Sequence, residues 1–265
     1  MNKKLKSMRI LAAVVAILVI LALAARCGLS PSSRSKTENE KVTKSEVAEG
    51  VKALEDAAGK DVEEAQKEVD YYVKSQKLEF YNSGNYEALF AGCMIMGDSH
   101  AEGFSSYGLL PESMVAATVG KDVNNNDEDR AQVIAAKPST LYIVYGQNTI
   151  QRCSGNVEKA AEEYRKFLDT MQASLPNTKI VVCSVFKVQD AALAKKPELG
   201  KAPELNKLLS KMCDEKGWKF IDTNPLLTDQ YYEPDHIHTN KAYHKLWLNY
   251  VAAESGLIDL EATNG

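Results

Sequence analysis

The sequence predicts an α/β fold built on a parallel sheet of about five strands, covered on both faces by helices. Three observations lead there. Short apolar runs, mostly β-branched or aromatic, alternate along the chain with segments of helical character. Such alternation implies strands that run parallel and are buried on both sides. Small polar residues then follow the runs, at the carboxyl ends where sheets of this class bind their ligands.

The first run, Cys93-Met94-Ile95-Met96, stops at Gly97-Asp98-Ser99-His100, so a buried strand over Met94–Met96 delivers a serine to the start of a helix. A glycine permits the sharp turn, and unpaired N–H groups at a helix start favour developing negative charge. An Asp-Ser pair in this place can also be an ordinary helix cap. Further strands are expected at Val115–Val119, Leu141–Tyr145, Ile180–Val185 and Lys219–Ile221. Helices are expected at Asp127–Ala136, Val157–Leu175, Pro203–Lys216 and Lys241–Ala253. No internal repeat is visible.

The amino-terminal part has a different character. Ile10 to Ala25 is an uninterrupted apolar run with Lys3, Lys4, Lys6 and Arg9 before it and Arg26 after it. As a helix it would reach ~24 Å, enough to span a bilayer with its basic flanks snorkelling. The basic flank predicts a single-pass anchor with a cytoplasmic amino terminus and the remainder outside the cell. The alternative is secretion after signal cleavage, because Ala22-Leu23-Ala24 fits the small-residue cleavage pattern. Lipid attachment at Cys27 is disfavoured by Arg26 before it. Ser, Lys, Glu, Thr and Pro then dominate a tether with little to bury. Beyond it Val47, Val51, Leu54, Ala58, Val62, Ala65, Val69 and Tyr72 form one thin apolar stripe at helical spacing. That stripe suits a stalk, a dimer seam or a helix packed on the next domain.

The net charge of −4 carries no nucleic-acid signal. Five cysteines without Cys-x-x-Cys spacing give no support for a zinc cluster or a disulfide-dense scaffold, and Cys93 and Cys183 read as buried thiols. No metal and no cofactor are expected.

Read together, the strand ends assemble an acyl-transfer site. Serine chemistry needs a base, an acid that orients the base, and donors aimed at the oxyanion. Asp235-His236-Ile237-His238 puts a carboxylate three residues before an imidazole, close enough within one turn to hold it. Adjacent side chains point apart, so Asp235 orients His238 and leaves His236 as a surface or substrate-rim residue. Ser99 and Gly120 can offer backbone N–H groups, and Asn148 its side-chain amide. His100, His236 and Gln147 are candidates for the substrate rim. Singly, each residue has a plain structural explanation: a turn at Gly120, a strand-end residue at Asn148, a packed histidine at His238.

Jointly, the motifs Gly97-Asp98-Ser99, Gly120, Gly146-Gln147-Asn148 and Asp235–His238 resemble the four blocks of the SGNH (GDSL-like) hydrolase family. The resemblance runs from about Tyr81 to Leu257. It implies a three-layer α/β/α, flavodoxin-like fold with Ser99, His238 and Asp235 as catalytic residues and Ser99, Gly120 and Asn148 as the oxyanion hole. The chain further resembles the membrane-anchored members of Gram-positive bacteria, through Tyr86-Glu87-Ala88-Leu89-Phe90 and the tail from His238 to Trp247. Two positions depart from the pattern: Thr149 stands where many members have Asp, and His100 where Leu or Arg is usual, although some acetyltransferase members also carry Gly-Asp-Ser-His.

The expected organisation is therefore a membrane anchor or signal segment at 1–27, a tether at 28–45, a helical stalk or packing segment at 46–77 and the hydrolase domain at 78–260. The expected activity is removal, or transfer, of a small acyl group such as acetyl on a cell-envelope carbohydrate. No long apolar lid separates Ser99 from Asn148, and the Lys187–Ala202 segment is polar, which suits a hydrated substrate. Rival readings are an O-acetyltransferase using the same residues and a surface domain that binds glycan without turning it over. A dinuclear metallophosphoesterase matches at its first and last motifs but fails in the middle, because no histidine lies between His100 and His236. An α/β-hydrolase elbow at Gly97-x-Ser99-x-Ala101 lacks the strands that should precede it and the usual distance between its Asp and His.

Overall fold

The structure is a computed structural model that describes residues 70–259, all within the compact unit Val62–Gly265. Five strands form one sheet: β1 (Cys93–Gly97), β2 (Val115–Ala117), β3 (Thr140–Val144), β4 (Lys179–Cys183) and β5 (Lys219–Ile221). Their order is β2-β1-β3-β4-β5 and every pairing is parallel. The direction of winding reverses after β2, so the carboxyl ends of β1 and β3 flank the point where such sheets open a crevice.

Alternation along each strand separates two cores. Met94, Met96, Leu141, Ile143, Ile180 and Val182 face one side, packed by α3 (Asp127–Ala136), α5 (Val157–Ser174) and α7 (Ala202–Lys216). Cys93, Ile95, Tyr142, Val144, Val181 and Cys183 face the other, packed by α1 (Tyr86–Leu89), α2 (Ser99–Ser106) and α8 (Lys241–Glu254). The result is the three-layer α/β/α sandwich. Here α4 is Gln147–Arg152, and α6 (Asp190–Leu193) lies in the segment between β4 and α7.

The helices follow from their sequences. In α5 the buried Val157, Ala160, Tyr164, Phe167, Leu168 and Met171 recur at helical spacing, and Asn156 caps the first turn by accepting from the Lys159 amide at 2.9 Å. Pro203 starts α7, and Gly217, at φ +72°, ends it. Asn240 caps α8 by accepting from Ala242 and Tyr243, and Trp247, fully buried, lies 4.7 Å from the Phe104 ring. Each such side chain removed from water contributes about 1.5–3 kcal/mol.

Observed bounds differ from the expected ones by a residue or two at most ends. The expected strand Val115–Val119 stops at Ala117, because Val119 turns outward and is 63% exposed. The segment after Gly146, read as a turn, is the six-residue helix α4. Lys187–Ala202, read as a polar loop, contains α6 and a 3₁₀ turn at Pro197–Lys201, anchored by the buried Ala192 and Leu199. The boundary placed at 78 falls inside a helical segment, residues 70–83. Of the apolar stripe, only Tyr72 is described, and it is 63% exposed. The anchor expected at Ile10–Ala25, the tether and Cys27 lie outside the described residues. Among the described residues no helix is long and apolar enough to cross a membrane. Cys93, Cys153, Cys183 and Cys213 are buried free thiols.

Candidate active site

The sheet register brings the site together. Gly97 pairs with Ala117 on one side and Val144 on the other, so β1, β2 and β3 end level. A side chain at Gly97 could not fit: a Cβ there would stand 2.3 Å from the Val144 carbonyl oxygen and 2.5 Å from the Ala101 methyl. That close approach lets Asp98 donate its amide to Val144 O at 3.3 Å and then cap α2, its carboxylate accepting from the His100 amide at 3.0 Å. Ser99 is thus the first residue of α2, half-buried, at the positive end of the helix.

Across from it, the segment after β5 folds back on itself. Tyr232 and Thr239 form an antiparallel bridge, and Glu233 donates its amide to His238 O at 2.8 Å. Inside this turn Asp235 Oδ1 accepts from the amides of Ile237 and His238, both at 2.9 Å, while Asp235 Oδ2 lies 2.5 Å from His238 Nδ1. Partial burial raises the Asp235 carboxyl, but the His238 ring and the two amides outweigh it and hold the group down at about 2. An ionised Asp235 can only accept, so Nδ1 carries the proton and Nε2 is left as the acceptor. Ser99 Oγ donates to it at 2.9 Å. Three groups are thereby linked in the order serine, imidazole, carboxylate, although they come from two chain segments 139 residues apart.

The other two candidate oxyanion donors lie in the segments that follow β2 and β3. Gly120 is exposed at φ +77°, a left-handed conformation that a side chain would strain, and its amide donates to no backbone carbonyl among the described residues. Asn148, in the first turn of α4, donates from Nδ2 to Lys121 O at 2.9 Å, which ties the residue after Gly120 to α4. One turn later Arg152 donates from Nε to Asp122 Oδ2 at 2.5 Å and also pairs with Glu163. The β2–α3 loop is therefore clamped to α4 at two successive residues, Lys121 and Asp122. Sequence reasoning missed Asp122, Arg152 and Glu163, which are separated along the chain and carry no motif. Thr149 is fully buried beneath Asn148, its hydroxyl without a hydrogen bond.

His100 and Gln147 are buried, each only 5% exposed, and His100 lines the cleft beside Ser99. The His100 ring packs edge-on to Phe186 at 4.8 Å and tilts against His238 at 5.1 Å. Burial, with the neighbouring His238 second, pushes it down to about 3, so it stays neutral. Gln147 is turned inward and donates from Nε2 to Phe186 O at 3.0 Å. His236 is exposed, in a left-handed conformation at φ +65°, and its Nδ1 lies 2.7 Å from Gln189 Oε1. It fastens the turn carrying Asp235 and His238 to the segment after β4. Behind Ser99, burial raises the Asp98 carboxyl to about 7, against the amides of His100 and Gly146 and the His238 ring, which lower it.

A cleft of about 310 Å³ opens directly from Ser99 and His238, bounded by α2, Val119 and Thr239. Larger hollows of about 710 and 540 Å³ lie along β5, lined by none of the residues above. Among the described residues no group of three His, Cys, Asp or Glu side chains could hold a metal ion.

Comparisons with known proteins agree with this fold. The family model described as GDSL-like Lipase/Acylhydrolase matches residues 95–246, more than half of the chain. No curated protein sequence matches. Among solved structures, a protein assigned as a GDSL-like lipase from Parabacteroides merdae is similar at 21% identity and TM-score 0.52, over 63% of this chain and 96% of that one. A GDSL-like lipase from Bacteroides thetaiotaomicron is similar at 16% identity and TM-score 0.50, over 62% and 86%. A protein assigned as an acylhydrolase from Bacteroides fragilis is similar at 18% identity and TM-score 0.51, over 62% and 87%. At these identities the structures speak to the fold.

Proposed function

Because the chain belongs to the GDSL-like lipase/acylhydrolase family and is a serine hydrolase, we propose that it is an extracytoplasmic esterase that removes a small acyl group, acetyl, from a cell-envelope carbohydrate through Ser99, His238 and Asp235. The observation that carries this reading is the linked series Ser99 Oγ, His238 and Asp235, with spacings of 2.9 and 2.5 Å.

In this mechanism Ser99 Oγ attacks the ester carbonyl carbon while its proton passes to His238 Nε2. Asp235, ionised, holds the Nδ1 proton and stabilises the imidazolium that forms. The carbonyl oxygen becomes an oxyanion that receives the Ser99 and Gly120 amides and Asn148 Nδ2. As the tetrahedral adduct collapses, the bond to the alcohol breaks and His238 gives the alcohol its proton. Water, deprotonated by His238, then attacks the acyl-serine and releases the acid. A sugar hydroxyl reaching the acyl-enzyme in place of water would make the reaction an O-acetyl transfer by the same groups.

The cleft beside Ser99, about 310 Å³, has room for a sugar-sized alcohol. The anchored, outward-facing placement rests on the basic flank and apolar run at the amino terminus, and on the likeness to membrane-anchored members in Gram-positive bacteria. The test is hydrolysis of aryl esters of increasing acyl length by the purified protein and its Ser99→Ala variant. Turnover highest for acetate and lost in Ser99→Ala is expected. Turnover that survives Ser99→Ala, or that rises with acyl length, would contradict the reading. Protease treatment of intact cells should remove the domain, and a soluble mature form beginning near Ala25 would contradict the anchor.

A further inference from the structure

Among the described residues, Glu102 is the acidic group lining the cleft, and no other residue occupies it. It sits one turn after Ser99 on α2, so its Cβ lies roughly 5–6 Å from that of Ser99 on the same helix face. It lines the cleft with Ser99, Ser106, Tyr107, Val119 and His238. The other carboxylates around this space are committed: Glu233 Oε1 accepts from the Tyr107 hydroxyl at 3.1 Å, and Asp235 holds His238. Burial, reinforced by Glu233, pushes Tyr107 up to about 12, so it remains a donor to Glu233 and is not a free partner for Glu102. The Glu102 carboxylate, half-buried, makes no hydrogen bond or ion pair among the described residues. Among the described residues, no lysine or arginine lines the cleft.

His238 fixes what this space receives. The imidazolium must hand its proton to the departing oxygen, so the alcohol portion of the ester lies on the His238 side of Ser99, and the cleft lined by His238 is on that side. We propose that Glu102 is a specificity-determining residue for that alcohol: it accepts hydrogen bonds from hydroxyl or ammonium groups next to the ester oxygen and rejects alcohols bearing phosphate, sulfate or carboxylate. The substrate class is then a neutral or amino-bearing polyol. A half-buried carboxylate without an ion-pair partner among the described residues provides both parts of the selection, because an uncharged donor stabilises it and an anion beside it is repelled. The proposal rests on the esterase reading above.

Three acetate esters of phenols test it: one neutral, one carrying a trimethylammonium group and one carrying a sulfonate. Each is assayed with the wild-type protein, Glu102→Gln and Glu102→Lys. Comparing ratios of kcat/KM between protein forms cancels the intrinsic reactivity of each ester. Wild type should favour the cationic over the anionic ester, Glu102→Gln should lower that ratio, and Glu102→Lys should shift it by about tenfold or more, with the effect shrinking as salt is added. A ratio unchanged within about twofold in both variants, with the neutral ester still cleaved, would overturn the role of Glu102 while leaving the esterase reading intact. Failure of the wild-type protein on all three esters would overturn the esterase reading and this proposal with it.

Discussion

Replacing Asp98 by asparagine should flatten part of the pH dependence of stability. Asp98 is 1% exposed, and burial raises its carboxyl from the ordinary 3.8 to about 7. Between these values the folded protein holds a proton that the unfolded chain has released, so stability falls as pH rises through that window and is level above it. Roughly three pH units at about 1.36 kcal/mol each make the loss about 4 kcal/mol. His100 works in the opposite sense: held down to about 3, it is neutral when folded and charged when unfolded at mildly acidic pH, so its contribution rises with pH. Asp235, held at about 2, titrates below the window. Only the difference between wild type and Asp98→Asn isolates Asp98, because His100, Asp235 and Asp129 are present in both. Asparagine keeps the oxygen that accepts the His100 amide at 3.0 Å, so the α2 cap survives. Urea unfolding, followed through the buried Trp247, gives both stabilities from about pH 4 to about pH 8. The variant should gain on wild type by roughly 4 kcal/mol across that range. A difference that does not change with pH would show that Asp98 is ionised in the folded state throughout, and the burial argument would fail.

The two histidines of the Asp235–His238 turn should separate cleanly. His238→Ala is expected to lose about 10³-fold or more in turnover. His236→Ala, which forfeits only the Gln189 contact, should lose less than about tenfold, and the reverse order in steady-state assays would refute the assignment. Asn148→Ala should lower kcat by about 10²–10³ with little change in KM, since the oxyanion exists only in the transition state, and unchanged turnover would leave Asn148 as a structural tie to Lys121. Arg152→Ala removes the partner of Asp122, whose side chain is 4% exposed, and should cost roughly 2–4 kcal/mol in urea unfolding, less than a fully buried pair because Arg152 is 35% exposed.

The strands and the four motif blocks were legible because the signal is local. A run such as Met94-Ile95-Met96 has nowhere to go but a buried strand, and the small polar residues after it contrast sharply with it. Asp235 and His238 were legible for the same reason, their bond being made within one turn. What escaped was settled between distant segments. Nothing in Gly97-Asp98-Ser99-His100 reveals that Phe186, from the segment after β4, covers His100, or that Gln147 turns inward to the Phe186 carbonyl. The helix α4 has six residues and no apolar stripe, so periodicity could not find it. The clamp of Arg152 on Asp122 and Glu163 spans separations of 30 and 11 residues, and each member alone reads as surface charge. Glu102 is likewise plain in sequence, and only the cleft around it gives it a chemical role.

The central claim is that Ser99 is a nucleophile activated by His238, and a phosphonylating reagent that reacts only with activated serines tests it directly. Peptide mass spectrometry of the treated protein should find one equivalent on Ser99, and His238→Ala should abolish the labelling while Ser99 remains in place. Labelling elsewhere, or labelling of Ser99 at an undiminished rate without His238, would contradict the account.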